Sequence, residues 1–139
     1  MIIVACGSKK RNEPSRARDL YAGPYFRAAL SYALAVSPAR DVFILSAKYG
    51  LLGLNDEIEP YDVAIGDPGA IMSKELSDQA EVFGLLRERV TVLGGARYVK
   101  FCRKVWRDIE APLEGKGGIG TQIAWLRAQK GGSAYGRRE

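Results

Sequence analysis

The sequence contains no histidine. That absence removes Ser-His-Asp and Cys-His nucleophilic machinery, together with every zinc site that needs imidazole. Two cysteines are too few for a four-cysteine metal site. No metal and no other cofactor is therefore expected, and any chemistry falls to Lys, Cys, Ser, Tyr and carboxylate side chains. No apolar run approaches the roughly 18 residues that a membrane span requires. The chain begins directly in an apolar, strand-like segment rather than in a basic-then-apolar leader. Together with the scarcity of cysteine, this leads to the expectation of a reduced, cytoplasmic protein with no membrane partner. Charge of one sign is also in short supply. The 21 Lys+Arg residues against 16 Asp+Glu leave a net charge of +5, a tilt toward anionic partners that is far from a polycation.

What is present suits one globular domain. A chain of 139 residues with 47% hydrophobic and 27% charged residues is long enough to bury a core. Its organising stretch is Val42-Phe43-Ile44-Leu45-Ser46-Ala47-Lys48-Tyr49-Gly50. Four consecutive apolar residues read as a strand buried on both faces of a parallel sheet. The abrupt change to small and polar residues places a hydroxyl, an amine and a phenol at the strand's carboxyl end, where open α/β sheets hold their ligands. The first strand, Ile2 to Ala5, ends in the same manner with Cys6-Gly7-Ser8-Lys9-Lys10.

Between and beyond these strands the pattern alternates. Residues 9–19 form a polar loop, and Pro24 suits the first turn of a helix. Phe26, Ala29, Leu30, Ala33 and Val36 recur at helical spacing, so the helix spans 24–36. A long irregular segment runs from 47 to about 70, a length that usually carries function. Ile71 or Met72, Leu76, Ala80, Phe83, Leu86 and Val90 predict a second, longer helix, with Gly94-Gly95 as its stop. Tyr98 to Cys102 reads as a third strand, Arg103 to Asp108 as a helical turn, and Ile109 to Leu113 as a short strand at an edge because of Pro112. The glycine run from Gly115 to Gly120 opens a last helix carrying Ile123 and Leu126 on one face, and residues 131–139 are expected to form a disordered tail. The fold expected is a three-layer α/β/α single domain over residues 1–130, with a small, mainly parallel sheet of about four strands.

All exits of a parallel sheet point one way. That gathers Cys6, Gly7, Ser8, Lys9 and Lys10 with Ser46, Ala47, Lys48, Tyr49 and Gly50, and then Cys102 with Arg103. The Cys6–Lys10 segment offers backbone N–H groups, a hydroxyl and two ammonium groups, a plausible anion nest but not a Walker A loop. Lys48 is either a solvated loop lysine or an anchor for phosphate or carboxylate. Cys6 reads more readily as a small buried hydrophobe than as a nucleophile. Gly118 and Gly120, before the last helix, offer a weak phosphate-binding signal. Pro60-Tyr61-Asp62 brings a ring and a carboxylate into the long loop, where Asp62 is either a general base or part of a plain turn. Tyr21, Tyr49 and Tyr61 are either core packing or surfaces for a planar ligand.

The segments Cys6-Gly7-Ser8-Lys9-Lys10, Asp19-Leu20-Tyr21-x-Gly23-x-x-Phe26, Leu45 to Leu52 and Pro60-Tyr61-Asp62 resemble an uncharacterised family of small phage and bacterial proteins. Pro112-Leu113-x-Gly115 and Gly118-Ile119-Gly120-x-Gln122-x-x-Trp125-Leu126 fit the same pattern, and the likeness spans about residues 1–128. More remotely, the arrangement is similar to the uracil-DNA glycosylase-like fold and to the lysine-transferring domain of archaeosine synthase. Those resemblances imply chemistry on nucleobases or on the bond that holds them. The chain departs from the glycosylases in lacking their histidine motif, so simple uracil excision is not expected.

The functional expectation is a metal-independent, nucleotide- or nucleic-acid-base-processing enzyme. In it Asp62, Lys48 and Ser46 are catalytic, Lys48 and Lys9 hold phosphate, and Tyr49 or Tyr21 stacks on the base. Two alternatives stand beside it: a non-enzymatic nucleotide- or DNA-binding module, and an enzyme acting on a small anionic metabolite.

Overall fold

In the computed structural model the described residues are 1–133, with side chains described through Gln129. The central sheet has five strands in the order β4-β3-β1-β6-β7. They are β1 (Ile2–Ala5), β3 (Val42–Ser46), β4 (Gly50–Gly53), β6 (Val90–Leu93) and β7 (Ile109–Glu110). β1 lies between β3 and β6 and runs parallel to both, with Ile2 opposite Val42 on one side and Thr91 on the other. Only β4 is antiparallel, returning along β3 with Ser46 opposite Gly50. A separate pair, β2 (Ser15–Arg16) and β5 (Glu57–Ile58), ties the first loop to the segment after β4.

Strand alternation builds two apolar layers, one on each side of the sheet. Ile2, Val4, Val42, Ile44 and Leu52 pack against α2 (Pro24–Val36) through Phe26, Ala29, Leu30 and Ala33, and against Leu126 of α5 (Ile119–Ser133). Ile3, Leu45, Leu51, Val90 and Val92 pack against α3 (Ser73–Val82) and α4 (Ala96–Arg103) through Leu76, Ala80, Val99 and Cys102. The short helix α1 (Ala17–Leu20) buries Ala17 and Leu20 in the first layer. The result is the expected α/β/α arrangement, with five strands rather than four.

The strands at 2–5 and 42–46 and the helix at 24–36 stand where the sequence places them. Other expectations are corrected. The second helix ends at Val82, because Gly84 adopts a φ of +71° just beyond its C-cap and breaks the run that Leu86 and Val90 had continued. Val90–Leu93 is instead the strand β6, buried at Val90, Val92 and Leu93. Residues 98–102 lie within the helix α4 rather than a strand: Val99, Cys102 and Trp106 are spaced i, i+3, i+7 and all face the core. The segment from 47 to 70 contains two short strands, β4 and β5. The edge strand expected over 109–113 shortens to the two residues of β7, at the edge of the sheet. α5 continues through Ser133, three residues into the stretch expected to lack structure, and the rest of that stretch, 134–139, lies outside the described residues.

Candidate functional site

The order of the strands decides where a ligand fits. From β1 the chain crosses by α1 and α2 to β3 on one side, then returns by α3 to β6 on the other side of β1. The crossovers therefore diverge between β1 and β6, and an open α/β sheet forms its binding crevice at the carboxyl ends of such a pair. A cavity of about 350 Å³ lies there. Its floor is Ala5, Cys6 and Gly7 from β1 and Gly94 and Gly95 from β6, and its walls include Tyr25, Phe26, Tyr98 and Gln122.

Gly94 keeps this crevice open. A Cβ on Gly94 would lie 2.6 Å from the Cβ of Ala5, closer than packed carbons approach, so only glycine lets β6 leave the sheet beside β1. α4 begins directly after it, with Gly95 as N-cap and no capping side chain. The N-terminal residues of α2 and α5, Tyr25, Phe26, Ile119 and Gln122, line the opposite wall. Residues from the first turns of three helices thus line one cavity, and the positive end of a helix dipole favours a negative charge. Arg97 also lines the cavity, and among the described residues no Asp or Glu does.

Two reactive groups meet in the crevice. The Cys6 sulfur lies 3.2 Å from the Tyr98 hydroxyl. Burial, followed by the proximity of Cys6, pushes the Tyr98 phenol well above its usual range, so it stays protonated. On the facing wall the Tyr25 hydroxyl donates to Gln122 Oε1, and Gln122 Nε2 donates to the Gly117 carbonyl at 2.8 Å. Burial raises Tyr25 as well, to about 12.

The β3 exit serves a different purpose. The Ser46 side chain is fully buried and accepts from the N–H groups of Lys48 at 3.1 Å and Tyr49 at 2.9 Å, while its hydroxyl donates to Tyr61 at 2.8 Å. Tyr61 and Tyr21 share a hydrogen bond of 2.6 Å, and burial raises both phenols well above the usual range. The Lys10 ammonium sits 4.4 Å from the Tyr61 ring centre and 5.8 Å from that of Tyr21. Tyr49 packs edge-on against Tyr61, with ring centres 5.6 Å apart. Gln79 clamps the turn that follows, donating to the Tyr49 carbonyl and accepting from the Leu51 N–H, each at 2.9 Å.

The predicted site residues consequently fall into separate groups. Cys6, Gly7 and Ser8 line the crevice. Tyr21, Ser46, Tyr49, Tyr61 and Lys10 form the hydroxyl-and-ring cluster, where Ser46 braces a turn and is closed to solvent. Ala47 is core, its carbonyl accepting from Ile71 N–H at 2.7 Å, and Gly50 is buried in the turn. Lys9, Lys48 and Asp62 are exposed and stand outside the lining of the crevice, as do Gly118 and Gly120, which flank its lining residue Ile119. Cys102 does not join a strand exit: it is buried in α4, and burial pushes its thiol up to about 12. Arg103 pairs with Glu114 at 2.7 Å instead.

Sequence reasoning missed Gly94, Gly95, Arg97, Tyr98, Tyr25 and Gln122. The signal for the first two was present: Val90 to Leu93 followed by Gly94-Gly95 has the same form, strand and small exit, as Ile2 to Gly7. Among the described residues, no group of three or more His, Cys, Asp or Glu side chains is placed to hold a metal ion, and no helix is long and apolar enough to cross a membrane.

Comparison with known proteins adds one finding. The chain belongs to a family of unknown function, DUF6884, whose model matches residues 1–128. No curated protein matches the sequence.

Proposed function

We propose that this member of the DUF6884 family holds a nucleotide, or one nucleotide unit of a nucleic acid, in the crevice between β1 and β6 and processes its base or glycosidic bond there. The observation that carries the reading is the crevice itself: a cavity of about 350 Å³ at the divergence of the crossovers, walled by the first turns of three helices and Arg97, and lined, among the described residues, by no carboxylate. Such an environment selects a phosphate. The rings of Tyr25 and Phe26 supply an apolar wall for a planar base.

The reacting position falls to Cys6 and Tyr98. A phenol kept protonated by burial donates its proton to the departing base as the bond to the sugar carbon breaks, while its oxygen takes the proton of the adjacent Cys6 thiol, whose sulfur forms a bond to that carbon that water then hydrolyses. This replaces the carboxylate scheme built on Asp62, Lys48 and Ser46, none of which lines the crevice.

A second reading, a binding module without catalysis, is favoured by that lack of a carboxylate, since the lining then offers no strong general base. The test is incubation of the protein with nucleotides and short DNAs in EDTA, following base release or mass change, alongside binding by thermal shift. Turnover that Cys6→Ser or Tyr98→Phe lowers by about a hundredfold, with binding retained, supports processing. Arg97→Ala should weaken binding by roughly 1–3 kcal/mol, the scale of a lost charge-assisted hydrogen bond. Tight binding of one nucleotide without turnover establishes the module instead.

A further inference from the structure

A basic groove continues from the crevice. α4 and the loop at 65–67 enclose a cavity of about 410 Å³ lined by Arg97, Lys100 and Lys104, with Phe101 as part of its floor. Arg97 lines both this groove and the crevice, so the two spaces meet at one residue. The three cations lie at i, i+3 and i+7 on one face of the helical segment, and at 1.5 Å per residue they extend over about 10 Å. All three are exposed, and among the described residues none is in an ion pair; Arg97 reaches only the Ile65 carbonyl, at 3.5 Å. The one carboxylate in the lining, Asp67, turns an oxygen to the Ala64 N–H at 2.9 Å.

A row of unneutralised cations leading away from a phosphate-selecting crevice has a chemical meaning. A mononucleotide would leave Lys100 and Lys104 unused. A polynucleotide strand carries one phosphate per nucleotide, so successive phosphates of one strand can meet the cations of the row. A nucleotide within a strand can enter the crevice only with its base out of the stack, and a single strand offers that without the cost of unpairing. We infer that the natural ligand is a single-stranded polynucleotide, one nucleotide of which enters the crevice while the adjoining phosphates lie along Arg97, Lys100 and Lys104. This rests on the nucleotide reading above and names its substrate class.

The experiment compares wild type with the double variant Lys100→Ala/Lys104→Ala. The probes are an end-labelled, mixed-sequence single-stranded DNA of about twelve nucleotides, its duplex, and the common deoxynucleoside mono- and triphosphates, each measured over a salt series. Wild type should bind the single strand at least about tenfold more tightly than any monophosphate. The double variant should lose about tenfold on the strand, and its salt slope should fall by about 1.4, or about 0.7 for each lost phosphate contact, with monophosphate binding unchanged. An unchanged melting temperature confirms that the variant is folded. Monophosphate binding with no gain for the strand, or a duplex bound as well as the single strand, overturns the inference and leaves the nucleotide reading standing. A triphosphate that equals the strand and loses as much in the variant overturns it in favour of a free nucleotide. Binding of none of the probes by wild type overturns both.

Discussion

The hydroxyl of Ser46, the last residue of β3, donates to the hydroxyl of Tyr61 across 2.8 Å. The bond joins the end of a central strand to the loop beyond β5, and through Tyr61 it reaches Tyr21, in the segment that leads into α2. Ser46 also takes the N–H groups of Lys48 and Tyr49, so one buried oxygen closes the turn and docks the loop.

Ser46→Ala should therefore act on stability rather than on the crevice. It strands two backbone donors and the Tyr61 hydroxyl in a buried place, a loss of roughly 1–3 kcal/mol. Urea denaturation should show that loss, with nucleotide binding by the folded variant retained. A variant as stable as wild type would mean that water replaces the hydroxyl, and a catalytic Ser46 would reappear only if turnover fell without a change in stability.

Two glycines should resist substitution for different reasons. Gly50 has a φ of +80°, and a Cβ there would lie 2.2 Å from Gln79 Oε1 and 2.4 Å from Ile71 Cδ1, so Gly50→Ala combines left-handed strain with a broken clamp. A loss of at least about 2 kcal/mol is expected. Gly94→Ala presses on Ala5 instead and should cost roughly 1–3 kcal/mol while also weakening ligand binding, because the wall that moves is the crevice's own. Denaturation midpoints and thermal-shift titrations separate the two; equal binding by Gly94→Ala would remove that wall from the site.

Alkaline pH should unfold the protein early. Burial is the largest cause of the raised pKa values of Tyr21, Tyr61 and Tyr98, so each phenol keeps its proton to higher pH folded than unfolded. Their contribution is whole below about pH 10, where an unfolded phenol titrates, and is lost as pH rises from there toward the folded values. The slope is up to about 1.4 kcal/mol per pH unit for each phenol. Urea melts at increasing pH should show the decline beginning near pH 10, and Tyr98→Phe should make it shallower. A flat profile through that range would mean that the phenols titrate normally.

Much of the frame was legible in the residues. Ile2 to Ala5 and Val42 to Leu45 are continuous apolar runs cut off by small and polar residues, the form of a strand buried on both faces, and Pro24 with its apolar repeat has the form of a helix start. The small and polar residues after β1 pointed to the carboxyl edge of the sheet, where Cys6, Gly7 and Ser8 line the crevice, whereas those after β3 do not line it. What local pattern left undecided was the second half of the sheet. Val90–Leu93 and Tyr98–Cys102 each satisfy either period over so few residues, and the choice falls to partners distant in sequence: β1 supplies the ladder that makes the first a strand, while the apolar layer around Leu76, Ala80 and Trp106 rewards the second as a helix. The same holds for single side chains. Nothing in the order of residues tells that the Ser46 hydroxyl is consumed by Tyr61, or that Arg97 and Tyr98 stand beside Cys6, because a hydroxyl's freedom and a pocket's lining depend on which distant segments pack against them, and packing belongs to the folded chain alone.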